Sequence, residues 1–200
     1  IGLVNVIGST IARESKSNLF TKAGPEIGVA STKAFTAQLT VLLCFAIALG
    51  KAKGHLSKKI VENYQSQIQL LPGVVGKVLK EFAKYRRIAK TLRSQKSALF
   101  LGRGSLFPIA LEGALKLKEL SYIHAEGFAS GEMKHGPIAL IEDDLPVISL
   151  LASDELVHKS INNLREASAR GARIILLAED KVADLVDFAD EVVTVPSVAP

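Results

Sequence analysis

The sequence predicts an α/β protein in which parallel sheets are flanked by helices. Short apolar runs alternate with helical segments, and this order and spacing are typical of a doubly wound parallel sheet. Apolar residues make up 48% of the 200 residues, enough to fill a globular core. A strand, polar loop, strand order in residues 2–26 also recurs in residues 178–200. We therefore expect the end of one α/β unit followed by most of a second, similar unit that stops before its last helix.

The first unit is expected to contain two short strands and a helix. Residues 3–7 and 18–22 have strand-like composition, and a polar loop joins them. Ser31 or Thr32 can cap a helix that runs over residues 34–49. The order strand, loop, strand, helix is thus predicted for this part of the chain.

The most apolar stretch lies inside that helix. Residues 39–49 form a run of 11 residues, whereas a membrane-spanning helix needs about 20. We interpret the run as a helix buried in a protein that does not enter a membrane. Its Cys44, the single cysteine of the chain, is expected to be a buried apolar side chain rather than a nucleophile. A single cysteine is compatible with the reducing cytoplasm.

A more polar helix follows and is expected to break at Pro72 and Gly73, where a second amphipathic helix begins. We place a domain boundary at this break. The predicted domains are residues 1–53 (the end of the first unit), 54–73 (a helical linker) and 74–200 (the second unit).

The second unit is predicted from the same alternation of strands and helices. Its expected order is a strand at 98–101, a loop at 102–105, a helix at 110–122, a turn containing His135, a strand at 147–151, a helix capped by Ser153 and a strand at 173–177. In an open parallel sheet, ligands bind at the carboxyl ends of the strands. The loops at 24–31 and 102–105 are therefore positional candidates for binding.

The charge pattern favours a small anionic ligand. The formal net charge is +5, but lysines and arginines are interleaved with acids rather than clustered with aromatic residues. A phosphorylated small molecule fits this mild excess better than a nucleic acid does. The Gly102-Arg103-Gly104-Ser105 loop has the context of a phosphate-binding turn, and a plain strand-to-helix turn explains it equally well. Phe107 replaces the third glycine of a dinucleotide fingerprint, so no such cofactor is expected.

Glu112, Lys116 and Glu119 form a charged stripe at i, i+4 and i+7, which places them on one face of a helix. One interpretation is a solvated ladder of ion pairs. The other is a half-buried site in which a carboxylate moves a proton between adjacent sugar carbons beside an ammonium. Spacing alone leaves both open.

His135 lies between Lys134 and the Gly136-Pro137 pair. A histidine in such a turn suits acid–base chemistry, and a helix-capping role is equally compatible with its position. The spacing of histidines, carboxylates and the one cysteine predicts no metal site.

Three stretches carry a resemblance to a known family: GPEIGVASTKAFTAQL at 24–39, GRG at 102–104, and ALEGALKLKELSYIHAEGFASGEMKHGPIAL at 110–140. They are similar to the isomerase domain of glutamine:fructose-6-phosphate amidotransferases, the glucosamine-6-phosphate synthases. The resemblance covers essentially the whole chain. It implies two sugar isomerase (SIS) units, each a three-layer arrangement of a parallel sheet and flanking helices, with only the C-terminal part of the first unit present.

The resemblance also implies roles for individual residues. Glu119 corresponds to the carboxylate that carries the proton between C1 and C2, Lys116 to a lysine that assists it, and His135 to the histidine that opens the sugar ring. Val29 and Ser31 fall where the family contacts the sugar, mainly through backbone groups. In the family the histidine reaches the site of the neighbouring subunit, so a homodimer is expected, and no cofactor is implied.

The family's other functional parts are expected outside these 200 residues. They are a glutaminase domain with a nucleophilic cysteine, a serine- and threonine-rich phosphate loop upstream of Ile1, and a C-terminal tail beyond Pro200 with a Schiff-base lysine. We therefore expect the chain alone to lack synthase activity and to bind fructose 6-phosphate poorly. Two rival functions remain: a glutamine-independent SIS phosphosugar isomerase or deaminase, and a non-catalytic SIS module that binds a phosphosugar for regulation.

Overall fold

The computed structural model describes residues 1–198 and divides the chain into two compact units. Unit 1 comprises Ile1–Pro72, and unit 2 begins at Gly73. Each is described separately below.

Unit 1 begins with two parallel strands, β1 (Gly2–Val4) and β2 (Asn18–Phe20). Both are shorter than the predicted strands. The predicted polar loop between them contains one short helix, α1 (Thr10–Glu14), because the Ser9 hydroxyl accepts a hydrogen bond from the backbone N–H of Ala12 at 3.3 Å. Such an N-cap satisfies an amide that would otherwise lack a partner, and it stabilises this single helical turn.

Helix α2 (Lys33–Ala52) follows, and the prediction that it is buried is wrong. All four of its leucines are exposed; only Ala34 and Ile47 are buried, and Cys44 is exposed as well. The apolar run was judged too short to span a membrane, but the helix that contains it has 20 residues and is long and apolar enough to do so. Core helices of soluble proteins pass the same test. The apolar face is uncovered because the described part of unit 1 offers this helix a sheet of only two strands.

The predicted break at Pro72 is also wrong. Helix α3 (Lys58–Lys80) continues through Pro72, and the chain is interrupted instead at Glu81, before helix α4 (Phe82–Leu92). A proline inside a helix removes one hydrogen bond and crowds the preceding turn. The bonds of the remaining turns in this 23-residue helix offset that single loss.

Unit 2 is built on a five-stranded sheet in which every neighbouring pair is parallel. In chain order its elements are β3 (Ser97–Gly102), α5 (Leu106–Ser121), β4 (His124–Ala129), 3₁₀ turns at Ser130–His135 and Pro137–Leu140, β5 (Pro146–Leu151), α6 (Val157–Ala169), β6 (Arg173–Glu179), a 3₁₀ turn at Ala183–Leu185, and β7 (Glu191–Val195). The strand order is β4-β3-β5-β6-β7. The predicted α/β class with parallel sheets and flanking helices is therefore confirmed.

Three details of unit 2 differ from the prediction. Strand β4 was not predicted, because its sequence HAEGFA is short and carries two polar residues at an edge of the sheet. Helix α5 begins four residues earlier than expected. Ser153 does not cap α6; instead the Asp154 carboxylate accepts the Leu156 backbone N–H at 2.8 Å, and the helix starts at Val157.

Apolar side chains cover both faces of this sheet, as expected for a parallel sheet between helices. One face packs against α6 and the first 3₁₀ turn, and the other packs against α4 and α5. The first cluster includes Leu101, Met133, Val147, Leu164 and Leu176, and the second includes Ile88, Ala98, Ile123, Ile148 and Ile175. Unit 2 thus has the closed core that the described part of unit 1 lacks.

Candidate functional site

The charged stripe on α5 is a connected, half-buried network. The Lys116 ammonium donates to the Glu119 carboxylate at 2.7 Å and lies 3.4 Å from a carboxylate oxygen of Glu112. The side chains of Glu112, Lys116 and Glu119 are only 22%, 20% and 33% exposed. The solvated ion pair of Lys58 and Glu62 on α3 spans 3.8 Å, with side chains 89% and 60% exposed. The stripe therefore differs from an ordinary ladder of surface ion pairs.

The two carboxylates act on the charge of Lys116. Its pKa is raised above the usual 10.5, mainly by the hydrogen bond to Glu119; partial desolvation opposes the rise, and Glu112 adds to it. Lys116 is therefore a cation throughout the physiological range. An ammonium in this position can stabilise negative charge that develops on a molecule bound beside it. The arrangement suits a carboxylate that accepts and returns a proton.

Glycines allow α5 to lie close against the sheet. A Cβ on Gly113 would come within 2.9 Å of the Phe100 ring, and a Cβ on Gly127 of β4 would come within 2.9 Å of the Leu111 Cα. Ala110 and Ala114 fill the rest of the contact and are buried. This close packing fixes the rotation of the helix about its axis, and hence the direction of the charged stripe.

The glycine loop after β3 forms a tight strand-to-helix turn. A Cβ on Gly102 would overlap the backbone of Leu106, and Gly104 has a positive φ of 56°. The backbone N–H groups of Leu106 and Phe107 donate to the carbonyls of Arg103 and Gly104, at 3.0 and 3.2 Å. Those two amides are already used within the turn, so the geometry favours the plain turn over a phosphate cradle.

His135 ends the 3₁₀ turn that follows β4, and its side chain is exposed. Two residues earlier, Met133 is fully buried and anchors the turn in the core. Gly136 ends the turn with φ of 151°, a conformation that side chains rarely adopt, and a second 3₁₀ turn begins at Pro137. The turn therefore presents His135 outward from a fixed backbone.

Glu119 and His135 belong to opposite ends of the unit 2 sheet. Helix α5 leads from the carboxyl end of β3 to the amino end of β4, so Glu119, in its last turn, lies near the amino ends of the strands. The turn with His135 follows the carboxyl end of β4. Six residues of strand separate the two ends by about 17 Å at roughly 3.3 Å per residue. The structure brings Glu112, Lys116 and Glu119 together but does not bring His135 to them.

Val29 and Ser31 lie in the irregular segment that precedes α2 in unit 1. Val29 is fully exposed and Ser31 is partly buried. The structure assigns neither residue a ligand.

Sequence reasoning missed the contacts that hold the histidine turn. Lys134 forms an ion pair of 2.6 Å with Glu166 of α6, and the guanidinium of Arg103 lies against Gly131. These partners are distant in sequence, and no local pattern signals them. Among residues 1–198, no group of three or more histidine, cysteine or carboxylate side chains is arranged to hold a metal ion.

Comparison with known proteins identifies the family. A profile of the SIS domain matches residues 1–48 and 91–200. The chain belongs to the SIS domain family. The C-terminal domain of glucosamine-fructose-6-phosphate aminotransferase from Francisella tularensis superposes on all of the SIS chain with a TM-score of 0.94 at 40% identity, and the match covers 57% of that chain. A glucosamine-6-phosphate deaminase from Thermotoga maritima matches 84% of the chain and 48% of its own, with a TM-score of 0.63 at 25% identity.

Similar sequences to this SIS chain include several glutamine–fructose-6-phosphate aminotransferases. A glutamine–fructose-6-phosphate aminotransferase (isomerizing) from Methanosarcina mazei is 44% identical over 98% of the chain and 32% of its own length. The corresponding protein from Bradyrhizobium diazoefficiens is 50% identical over 92% of the chain and 30% of its own length. The SIS chain thus spans about a third of the curated relatives it matches.

Proposed function

We propose that this chain is the isomerase portion of a glutamine–fructose-6-phosphate aminotransferase. The whole protein would convert fructose 6-phosphate and glutamine-derived ammonia to glucosamine 6-phosphate, the amino sugar that leads to UDP-N-acetylglucosamine. A glutaminase domain elsewhere in the protein supplies the ammonia, and the enzyme works in the cytoplasm. Residues 1–53 are the C-terminal part of its first SIS unit, residues 74–200 are the second SIS unit without its last helix, and residues 54–73 link them.

The half-buried Glu112–Lys116–Glu119 network is the observation that carries this proposal. Identity of 44–50% to aminotransferases over nearly the whole chain supports it. An aldose–ketose interconversion needs one base that removes a proton from a sugar carbon and returns it to the neighbouring carbon. We assign this role to Glu119, because the resemblance aligns it with the proton-carrying carboxylate of the aminotransferases; the Lys116 ammonium lies 2.7 Å from it.

In the proposed reaction, Glu119 removes a proton from C1 of the open-chain fructose imine and returns it to C2. The electron pair left at C1 forms the C1–C2 double bond, and the C2–N double bond of the protonated imine becomes a single bond. Glu119 then protonates C2 with the electrons of the C1–C2 double bond, while the C1 hydroxyl loses its proton to water and forms the C1–O double bond of the aldose. Lys116 stabilises the charge that develops, and His135 transfers the proton that opens the ring. Val29 and Ser31 bind the sugar through backbone groups.

The separation of Glu119 and His135 supports a homodimer. Two groups at opposite ends of one sheet, about 17 Å apart along a strand, do not act on one sugar. A site that contains both residues therefore takes them from two copies of the chain, related by a twofold axis that gives two equal sites. His135, exposed on a firmly held turn, is suited to reach the neighbouring subunit's site.

The rival function is a glutamine-independent phosphosugar isomerase or deaminase, which the likeness to the Thermotoga maritima deaminase favours. Its 25% identity is well below the 44–50% of the aminotransferases. A purely regulatory phosphosugar-binding module has no use for a proton-transferring carboxylate beside a half-buried ammonium. Sequence identity therefore favours the aminotransferase over the deaminase, and the geometry around Glu119 favours an enzyme over a regulatory module.

Glu119→Gln in the full-length protein tests the proposal. The amide cannot accept the proton, so glucosamine 6-phosphate formation should fall by about 10² to 10⁴-fold, while glutamine hydrolysis stays within twofold. Both rates are measured by coupled assays for the two products. Glu62→Gln, which removes a carboxylate from the solvated pair on α3, is the matched control and should change neither rate. Equal loss of both activities would assign Glu119 a role in folding, not in proton transfer.

Mixed dimers test the shared site. Glu119→Gln and His135→Ala proteins, each inactive alone, are co-expressed with different affinity tags and purified as a mixture. Activity should recover to about a quarter of wild type, because half of randomly mixed dimers are heterodimers and each has one complete site of two. Recovery of no activity, from heterodimers shown to be present, would place both residues in the same subunit's site.

A further inference from the structure

Two residues of α6, and Arg170 directly after its last residue, contact the histidine turn and the segment that follows it. Asn163, Glu166 and Arg170 stand at i, i+3 and i+7, which aligns them along the helix. The Asn163 amide donates to the carbonyl of Ser130 at 3.2 Å, the Glu166 carboxylate pairs with Lys134 at 2.6 Å, and the Arg170 guanidinium donates to the carbonyl of Ile138 at 3.4 Å. The contacted residues, Ser130, Lys134 and Ile138, are spaced four apart, so successive contacts on α6 meet successive positions along the segment.

Asn163 makes the most buried of these contacts. Its amide orientation is assigned from the hydrogen-bond network: with the nitrogen facing two carbonyls, it donates to Ser130 and also to Lys159, at 2.9 Å. Asn163 is 7% exposed and Ser130 is 2% exposed. Without the amide, the Ser130 carbonyl at the start of the turn loses this donor in a place that water does not reach, and an unsatisfied buried acceptor is destabilising.

The contacts enclose His135 from both sides. Ser130, Met133 and Lys134 are fixed before it, and Ile138 is fixed after it. Among the described residues, the imidazole itself has no hydrogen-bond partner. The backbone therefore fixes the position of the His135 Cα and the direction of its Cα–Cβ bond, and α6 holds that backbone.

We infer that Asn163 and Glu166 are positioning residues for His135: they attach the turn to α6, which holds the backbone at His135 in place and so presents the imidazole to its substrate. This inference rests on the proposed function, in which His135 opens the sugar ring. A reacting group must be held close to its productive geometry, and residues behind it supply that rigidity. Neither residue touches the sugar, so their effect is confined to the step that uses His135.

Asn163→Leu in the full-length protein is the principal test, and Asn162→Leu is its matched control. Asn162 is the adjacent residue of the same type, but it is exposed on α6. Backbone amide exchange, followed by mass spectrometry on the peptide 130–136, should become about tenfold faster in Asn163→Leu. It should stay at the wild-type rate in Asn162→Leu. Glu166→Gln, at a half-exposed position that tolerates substitution, should accelerate exchange about two- to threefold.

Kinetics separate positioning from general destabilisation. In Asn163→Leu, kcat for glucosamine 6-phosphate should fall about tenfold, with KM for fructose 6-phosphate within twofold. The isotope effect measured with fructose 6-phosphate deuterated at C1 should shrink toward one, because ring opening, not proton transfer, becomes limiting. A variant that merely contains less folded enzyme keeps the wild-type isotope effect.

The inference is overturned by unchanged exchange in peptide 130–136, or by a loss of kcat that leaves the isotope effect at its wild-type value. An equal effect of Asn162→Leu would overturn it as well. A wild-type protein that forms no glucosamine 6-phosphate would instead refute the proposed function. The exchange comparison would then still decide whether α6 holds the turn.

Discussion

The charged stripe and the histidine turn are held in place in different ways. Glu112, Lys116 and Glu119 stand on one helix and contact one another, so neighbours in sequence build the network. The turn with His135 has its partners elsewhere: Met133 enters the core, and α6 binds the turn from outside. The stripe is held by partly solvated ion pairs, whereas the turn is held by packing and a buried hydrogen bond in addition to an ion pair. Substitutions in the turn should therefore affect stability more than substitutions in the stripe.

The largest effect on stability is expected from Met133→Ala. Met133 is fully buried under the turn, and truncation of a buried methionine costs about 2–5 kcal/mol through lost contacts and the cavity left behind. Urea denaturation measures the change. Leu115→Ala is the control, because Leu115 of α5 is 41% exposed, and this substitution should reduce the free energy of unfolding much less. A comparable loss in both variants would contradict the view that Met133 anchors the turn.

Gly136→Ala should have an intermediate effect. At φ of 151° an alanine is strained, although a Cβ there would meet no atom within 4 Å, so the cost of about 1–3 kcal/mol comes from the backbone alone. Gly76→Ala, inside α3 and also in open space but without a positive φ, should instead stabilise by up to about 1 kcal/mol. Thermal denaturation of both variants provides the comparison. A stabilised Gly136→Ala protein would show that the turn is not strained.

Lys116→Met should have the smallest effect on stability, with a defined dependence on pH. The pKa of Lys116 is raised in the folded protein, chiefly by Glu119, so its contribution is complete below the unfolded value of 10.5 and is lost as the pH rises through the higher folded value. The difference in urea midpoint between wild type and variant should be constant from about pH 6 to 9 and should shrink above about pH 10.5. If the difference in urea midpoint instead grew above pH 10.5, the Lys116–Glu119 ion pair could not be its cause.

Features that depend on sequence spacing were predicted well. The i, i+4, i+7 spacing placed Glu112, Lys116 and Glu119 on one face, and apolar runs predicted β3, β5 and β6 to within two residues at each end. Spacing left the burial of the stripe open, because burial depends on how closely α5 approaches the sheet. That approach depends on Gly113 and Gly127, which lie on different elements.

Features that depend on distant contacts were predicted poorly. Helix α2 was expected to be buried because it is apolar, but burial requires a surface to cover it. Pro72 was expected to end a helix, yet the surrounding turns of α3 continue through it. The roles of Glu119, Lys116, His135, Val29 and Ser31 came from the resemblance and stay predictions.

The strand order of unit 2 also bears on how the chain is made. The neighbouring strands β3 and β5 are separated in sequence by α5, β4 and the histidine turn. Pairing Leu99 with Val147 therefore closes a longer loop than any other strand pairing in the sheet. During synthesis, the charged stripe and His135 are both added to the chain before β5 and α6. The nascent chain therefore contains every side chain proposed for proton transfer before it contains the helix that holds the histidine turn.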